Sequence, residues 1–144
     1  MRFSSVFTLV LVTLVSWTLF CHAAPLVSSS TSSSDLIKAI SPKQGAVYSI
    51  GDSVLAKVDV LDKDLDGNTK IKVSLQRAIP KPDVNIYLAV VDLSVLSEDG
   101  YEFVLTEAHQ GNPDRTNRYR IRFSFHDDDG NHHYVDSGVF HIEQ

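Results

Sequence analysis

From Asp35 onward, apolar residues recur at every second position. Val54, Ala56, Val58 and Val60 alternate with Leu55, Lys57, Asp59 and Leu61, and Ile71, Val73 and Leu75 alternate with Lys72, Ser74 and Gln76. Tyr101, Phe103 and Leu105 flank Glu102 and Val104. The cleanest run sets Tyr119, Ile121, Phe123 and Phe125 against Arg118, Arg120, Arg122 and Ser124. Successive side chains of a strand point to opposite faces, so each run predicts a strand with one face on a core. Val84 to Val91 is a more continuous apolar run and predicts a strand buried on both sides. Phe140 and Ile142, against Val139 and His141, close a last strand. Only Ser94 to Asp99 reads as a helical turn.

Punctuation supports the same reading. Gly45, Gly51, Asp66-Gly67, Asp99-Gly100, Gly111 to Pro113 and Asp129-Gly130-Asn131 fall between the runs. Asp-Gly supplies the backbone angles that tight hairpins need. Ile79-Pro80-Lys81-Pro82-Asp83 predicts a loop, since neither proline can donate to a ladder. About seven strands at this spacing predict an all-β fold, an immunoglobulin-like or fibronectin-III-like β-sandwich over residues 35–144. Tyr119 stands where such folds often use a tyrosine to pin the corner before the sixth strand.

The segment before Asp35 has a different character. Met1 and Arg2 precede an apolar run from Val6 to Phe20, and the small residues Cys21 and Ala23 suit a signal peptidase. Residues 1–23 therefore predict an export signal cleaved after Ala23, the run being short for a membrane span. Residues 24–34 predict a Ser-rich linker, with Ser28 to Ser34 reading SSSTSSS, a plain tether or an O-glycosylation stretch. No Asn-x-Ser/Thr sequon is present.

Cleavage would remove Met1, Arg2, Trp17, Cys21 and His22, so the predicted mature chain has no Cys, Trp or Met. Such a domain must be held by core burial, without disulfides. The whole chain carries a net charge of -5, and losing Arg2 makes it more acidic. That balance excludes bulk nucleic-acid binding, which needs a basic surface.

Several segments resemble the N-terminal domain of the yeast cell-wall-synthesis family, the killer-toxin-resistance β-glucan assembly proteins and their Ser/Thr-rich GPI-anchored relatives. Ile40-Ser41-Pro42-Lys43-Gln44-Gly45-Ala46-Val47-Tyr48, followed by Gly51-Asp52-Ser53-Val54, is similar to that domain's start. Lys72-Val73-Ser74-Leu75, Tyr119-Arg120-Ile121-Arg122-Phe123 and Asp136-Ser137-Gly138-Val139-Phe140-His141-Ile142 are similar to its later strands. The likeness spans roughly Leu36 to Glu143. It departs where the family often has a Trp on the second strand, since Ala56, Lys57 and Val58 stand there. The sequence stops at Gln144, so the family's Ser/Thr-rich tail and anchor signal are not expected. The resemblance implies a freely secreted module of the fungal cell wall or surface, with no membrane anchor in the mature chain. Its partner would be a cell-wall polysaccharide or a surface protein.

Three clusters bear on chemistry. Asp62-x-Asp64-x-Asp66-Gly67 matches half of an EF-hand loop, but Val73 falls where a bidentate Glu is required and strands flank it. A solvated turn is the preferred reading, and a weak calcium loop the alternative. His126-Asp127-Asp128-Asp129-Gly130-Asn131-His132-His133 would bring His126 toward His132 or His133 across a hairpin, where zinc or copper could bind. Exposed turns rich in Asp, Gly, Asn and His explain the same segment without metal. Arg118, Arg120 and Arg122, with Arg115 nearby, form a cationic stripe that could grip an acidic partner. Cross-strand pairing with Asp136 or Glu143 is preferred.

Catalysis has little support. The predicted mature chain lacks a Cys nucleophile and a Gly-x-Ser-x-Gly elbow, and its carboxylates cluster in turns. No catalytic, cofactor or metal residue is assigned. The sequence predicts a non-enzymatic secreted module of the wall or surface, with a secreted effector binding a host or neighbouring protein as the alternative. An extracellular metal-binding protein is the third reading.

Overall fold

The computed structural model describes residues 35–79, 82–110 and 116–143. The expected export signal and the Ser-rich linker lie outside the described residues, as does Arg115. Among the described residues the chain forms nine strands. They are β1 (Ile37–Ser41), β2 (Val47–Ser49), β3 (Ser53–Val60), β4 (Lys70–Arg77), β5 (Asn85–Asp92), β6 (Tyr101–Val104), β7 (Arg118–His126), β8 (His132–Asp136) and β9 (Phe140–Glu143). Two short helices join them, α1 (Leu93–Glu98) and α2 (Glu107–Gln110).

The strands make two sheets. The smaller has the order β1-β3-β6, and the larger runs β2-β9-β7-β4-β5, with β8 also pairing β7. All pairings are antiparallel except β2 with β9. Ile37, Val54, Ala56, Val58 and Phe103 of the smaller sheet share one buried cluster with Ile71, Val73, Leu75, Ile121, Phe123 and Phe125 of the larger. This is an immunoglobulin-like, fibronectin-III-like β-sandwich. The period-two runs are its inward faces, and nine strands form among the described residues where about seven were expected.

The expected helical turn is α1, which carries the chain from the larger sheet to the smaller and buries Leu93 and Leu96. It stops at Gly100, whose φ of 82° continues past a helix end where a side chain would be strained. A Cβ there would also lie 2.7 Å from Leu55 Cδ1.

One strand departs from expectation. Val84 to Val91 was expected to be buried on both faces, yet β5 is the edge of the larger sheet, with Tyr87 58% and Val90 51% exposed. A register shift opposite Val73 and Ser74 adds a residue to β5. The parity changes across that bulge, so Tyr87 and Val90, three residues apart, reach the same solvent face.

Candidate functional site

The outer face of the larger sheet collects most of the polar chemistry that the alternation left over from the core. Cross-strand pairing arranges it in rows. Tyr87, Ser74, Arg122 and Asp136 form one row across β5, β4, β7 and β8. Val90, Lys72, Ser124 and Tyr134 form the next. One pleat further, Lys70 faces Asp92, and His126 faces His132.

The arginine stripe is paired, as the sequence preferred. Arg122 Nε and Nη2 donate to the two carboxylate oxygens of Asp136 at 2.7 and 2.8 Å, a bidentate fork. Arg120 Nη1 lies 3.2 Å from the same carboxylate. The hydrogen bond to Asp136 raises the Arg122 pKa above its ordinary value. Arg122 also lies over the Tyr134 ring at 4.2 Å, within cation–π range. Asp136 thus neutralises part of the stripe, while Arg118 at its far end is exposed and contacts no carboxylate among the described residues.

At the other end of the face the sheet hollows into an open groove of about 300 Å³. Lys70, Lys72, Val90, Ser124, His126 and His132 line it. Lys70 Nζ holds Asp92 at 2.5 Å on the rim. Lys72 Nζ sits 5.8 Å from the Tyr87 ring and makes no ion pair among the described residues. The groove is more cationic than a chain of net charge -5 would suggest.

The hairpin divides its three histidines. His126 and His132 face each other on the outer side, ring centroids 5.0 Å apart. His133 points inward, stacks on Phe125 at 5.3 Å and places Nε2 2.8 Å from Asp127. That contact and hydrogen bonds from Asn131 lower the Asp127 pKa to about 2. No group of three or more His, Cys, Asp or Glu fit to hold a metal ion occurs among the described residues.

The Asp62 and Asp66 carboxylates serve their own turns. Asp62 Oδ1 accepts from the Asp64 amide at 2.9 Å, and Asp66 Oδ1 from the Asn68 amide at 2.9 Å. These are Asx turns, so two of the three acids are committed to local backbone. His109 is likewise local: its Nδ1 accepts the Thr106 amide at 3.0 Å, capping α2, and burial lowers its pKa.

Sequence reasoning missed Arg77, which is completely buried. Its Nη1 pairs with Asp83 at 2.9 Å and its Nη2 donates to the Gln110 carbonyl at 2.9 Å. The signal was present, because Arg77 continues the inward parity of Ile71, Val73 and Leu75. The exposure of Tyr87 and Val90 was also missed, since a bulge leaves no mark in the sequence pattern.

No family model matches this chain, and no curated protein matches it. Among solved structures it is similar to the fibronectin(III)-like modules of Clostridium thermocellum CbhA. The TM-score is 0.38 at 13% identity, covering 74% of this chain and 94% of that one.

Proposed function

We propose that this chain is an exported, non-catalytic binding module of the fungal cell wall or cell surface. It works through the outer face of the larger sheet. The observation that carries the reading is the composition of that face. Tyr87 and Val90 stand exposed beside Lys72, Ser124 and the His126–His132 pair, all held on one hydrogen-bonded ladder. Such a face is preorganised, so a partner need not order it on binding. The export signal expected over residues 1–23 and the resemblance to wall-assembly domains support the location.

Retention on insoluble wall glucan, scored against an unrelated β-sandwich, tests the proposal. The wild-type chain is expected to be retained above that control, and the Tyr87→Ala/Val90→Asp variant is expected to wash through. Equal retention of the chain and the control overturns the wall reading.

A second reading, recognition of a surface, host or neighbouring protein, is favoured by β5 itself. This eight-residue edge carries neither Lys, Arg nor Pro, the residues that usually guard an edge against pairing. Crosslinking from residue 87 then recovers a discrete protein in place of wall material.

A further inference from the structure

We propose that the groove at the β4–β7–β8 end of the outer face is a phosphate site, taking the terminal phosphoryl group of a phosphomonoester or the free ion. The inference rests on the reading of this face as the working surface, and it names what one part of that surface recognises.

The groove offers donors and almost no acceptors. Lys70 and Lys72 come from β4, Ser124 and His126 from β7, and His132 from β8. Each imidazole can donate a hydrogen bond whether or not it is protonated, and the hydroxyl can rotate to donate. Donors thus reach the hollow from three strands. That spread suits the three terminal oxygens of a tetrahedral phosphoryl group better than the two coplanar oxygens of a carboxylate. The Lys72 ammonium supplies positive charge there, and Lys70, though paired with Asp92 at 2.5 Å, adds donors at the rim.

The surrounding charges point the same way. Asp92, on the rim of β5, is held by Lys70. Asp127 of the hairpin tip is turned toward His133 on the inner side, and Asp136 is occupied by Arg120 and Arg122. Asp128 and Asp129 are exposed in the tip itself, outside the groove's lining. Lys72 therefore faces the hollow without a carboxylate of its own, and an incoming anion displaces no buried pair. Val90 provides an apolar wall, so a compact ester carrying a carbon skeleton can rest against β5. A volume of about 300 Å³ is the lower end of small-molecule sites, enough for a phosphoryl group and a single ring.

The test is a titration of the full chain followed by amide chemical shifts, with inorganic phosphate in one arm and glucose 6-phosphate in the other. Saturable shifts are expected at residues 70–72, 90, 124–126 and 132, with an affinity in the millimolar range for so open a site. Lys72→Gln, at an exposed position, is expected to weaken binding about tenfold. His126→Gln/His132→Gln is expected to weaken it severalfold, and Arg118→Gln, at the far end, to leave it unchanged. Tighter binding of glucose 6-phosphate assigns the site to an ester, and equal binding assigns it to the phosphoryl group alone; either supports the proposal. Shifts spread over all surface cations, an unchanged affinity in Lys72→Gln, or stronger binding of acetate or a polyglutamate peptide overturns it. Retention on glucan reads the whole face and this titration only the groove, so either can fail while the other succeeds.

Discussion

The Arg77 guanidinium lies 5.7 Å from the centre of the Tyr119 ring, with Nη2 3.4 Å from the phenolic oxygen. Both groups donate to the carbonyl of Gln110. A tyrosine hydroxyl that reaches back to upstream backbone is the corner device of such sandwiches. Here a buried arginine doubles it. The guanidinium also pairs with Asp83, so one cluster ties the ends of β4 and β7 to the loop before β5 and to the last residue of α2.

Removing that guanidinium is expected to destabilise the fold strongly. Arg77→Met fills much of the volume but leaves the Gln110 carbonyl one donor short and removes the ion pair to Asp83. A loss of about 3 kcal/mol is expected, and about 1 kcal/mol for Tyr119→Phe, which removes only a hydroxyl. Urea unfolding of both single variants and the double variant checks this. A double variant no worse than Arg77→Met alone identifies the two as one unit.

Gly138 precedes β9 and presses against the segment between β1 and β2. A Cβ there would lie 2.2 Å from the Gln44 amide nitrogen and 2.7 Å from the Lys43 carbonyl carbon. Those neighbours are backbone, held by hydrogen bonds from Gly45 to Val139 and from the Val139 amide to the Gln44 side chain. Gly138→Ala must therefore move main chain, at a cost of about 2 to 3 kcal/mol. A fall in the thermal midpoint is the measurement, with Gly67→Ala, whose Cβ would meet only Ser94 Cβ at 3.4 Å, as the comparison.

The core was readable from period two because each inward face meets the same cluster: Val54, Ala56 and Val58 on β3, and Tyr119 to Phe125 on β7. The pairing of Arg122 with Asp136 was readable as well, since both lie on strands joined by one hairpin. The groove was not. It needs Lys70 and Lys72 beside His126 and His132, which only the pairing of β4 with β7 brings together. Nor could periodicity show that Val84 to Val91 forms an edge, because an apolar run reads alike on an edge with a bulge and in a sheet centre. Arg77 was legible by parity and was passed over because charge outweighed position.

The hairpin tip predicts an acid transition at Asp127. His133 first, and Asn131 after it, hold its carboxyl near 2, below the ordinary value of 3.8. A depressed folded-state pKa contributes stability that is present above the ordinary carboxylate value and lost as pH falls from there toward 2. A carboxyl carbon titration is expected to show Asp127 titrating near 2, below the ordinary carboxylate value. His133→Gln is expected to return its midpoint toward the ordinary value; an unchanged midpoint contradicts the assignment of the cause.

At α2 the direction of the proton effect is set by a base. His109 Nδ1 accepts the Thr106 amide at 3.0 Å, which only the neutral ring can do at that nitrogen, and burial lowers its pKa. Because the folded-state value lies below the unfolded one, the stabilising effect is complete above the ordinary histidine value. It fades as pH falls below that value through the folded one. Acidification should therefore loosen the turn from Thr106 to Gln110 before it affects the sheets. Amide hydrogen exchange, corrected for the intrinsic pH dependence, is expected to show reduced protection of the Thr106 and His109 amides at pH 5 relative to pH 7. In His109→Gln, whose side-chain oxygen can accept the same amide without titrating, that difference should vanish. Persistence of the full pH effect in the variant would place its origin elsewhere in the chain.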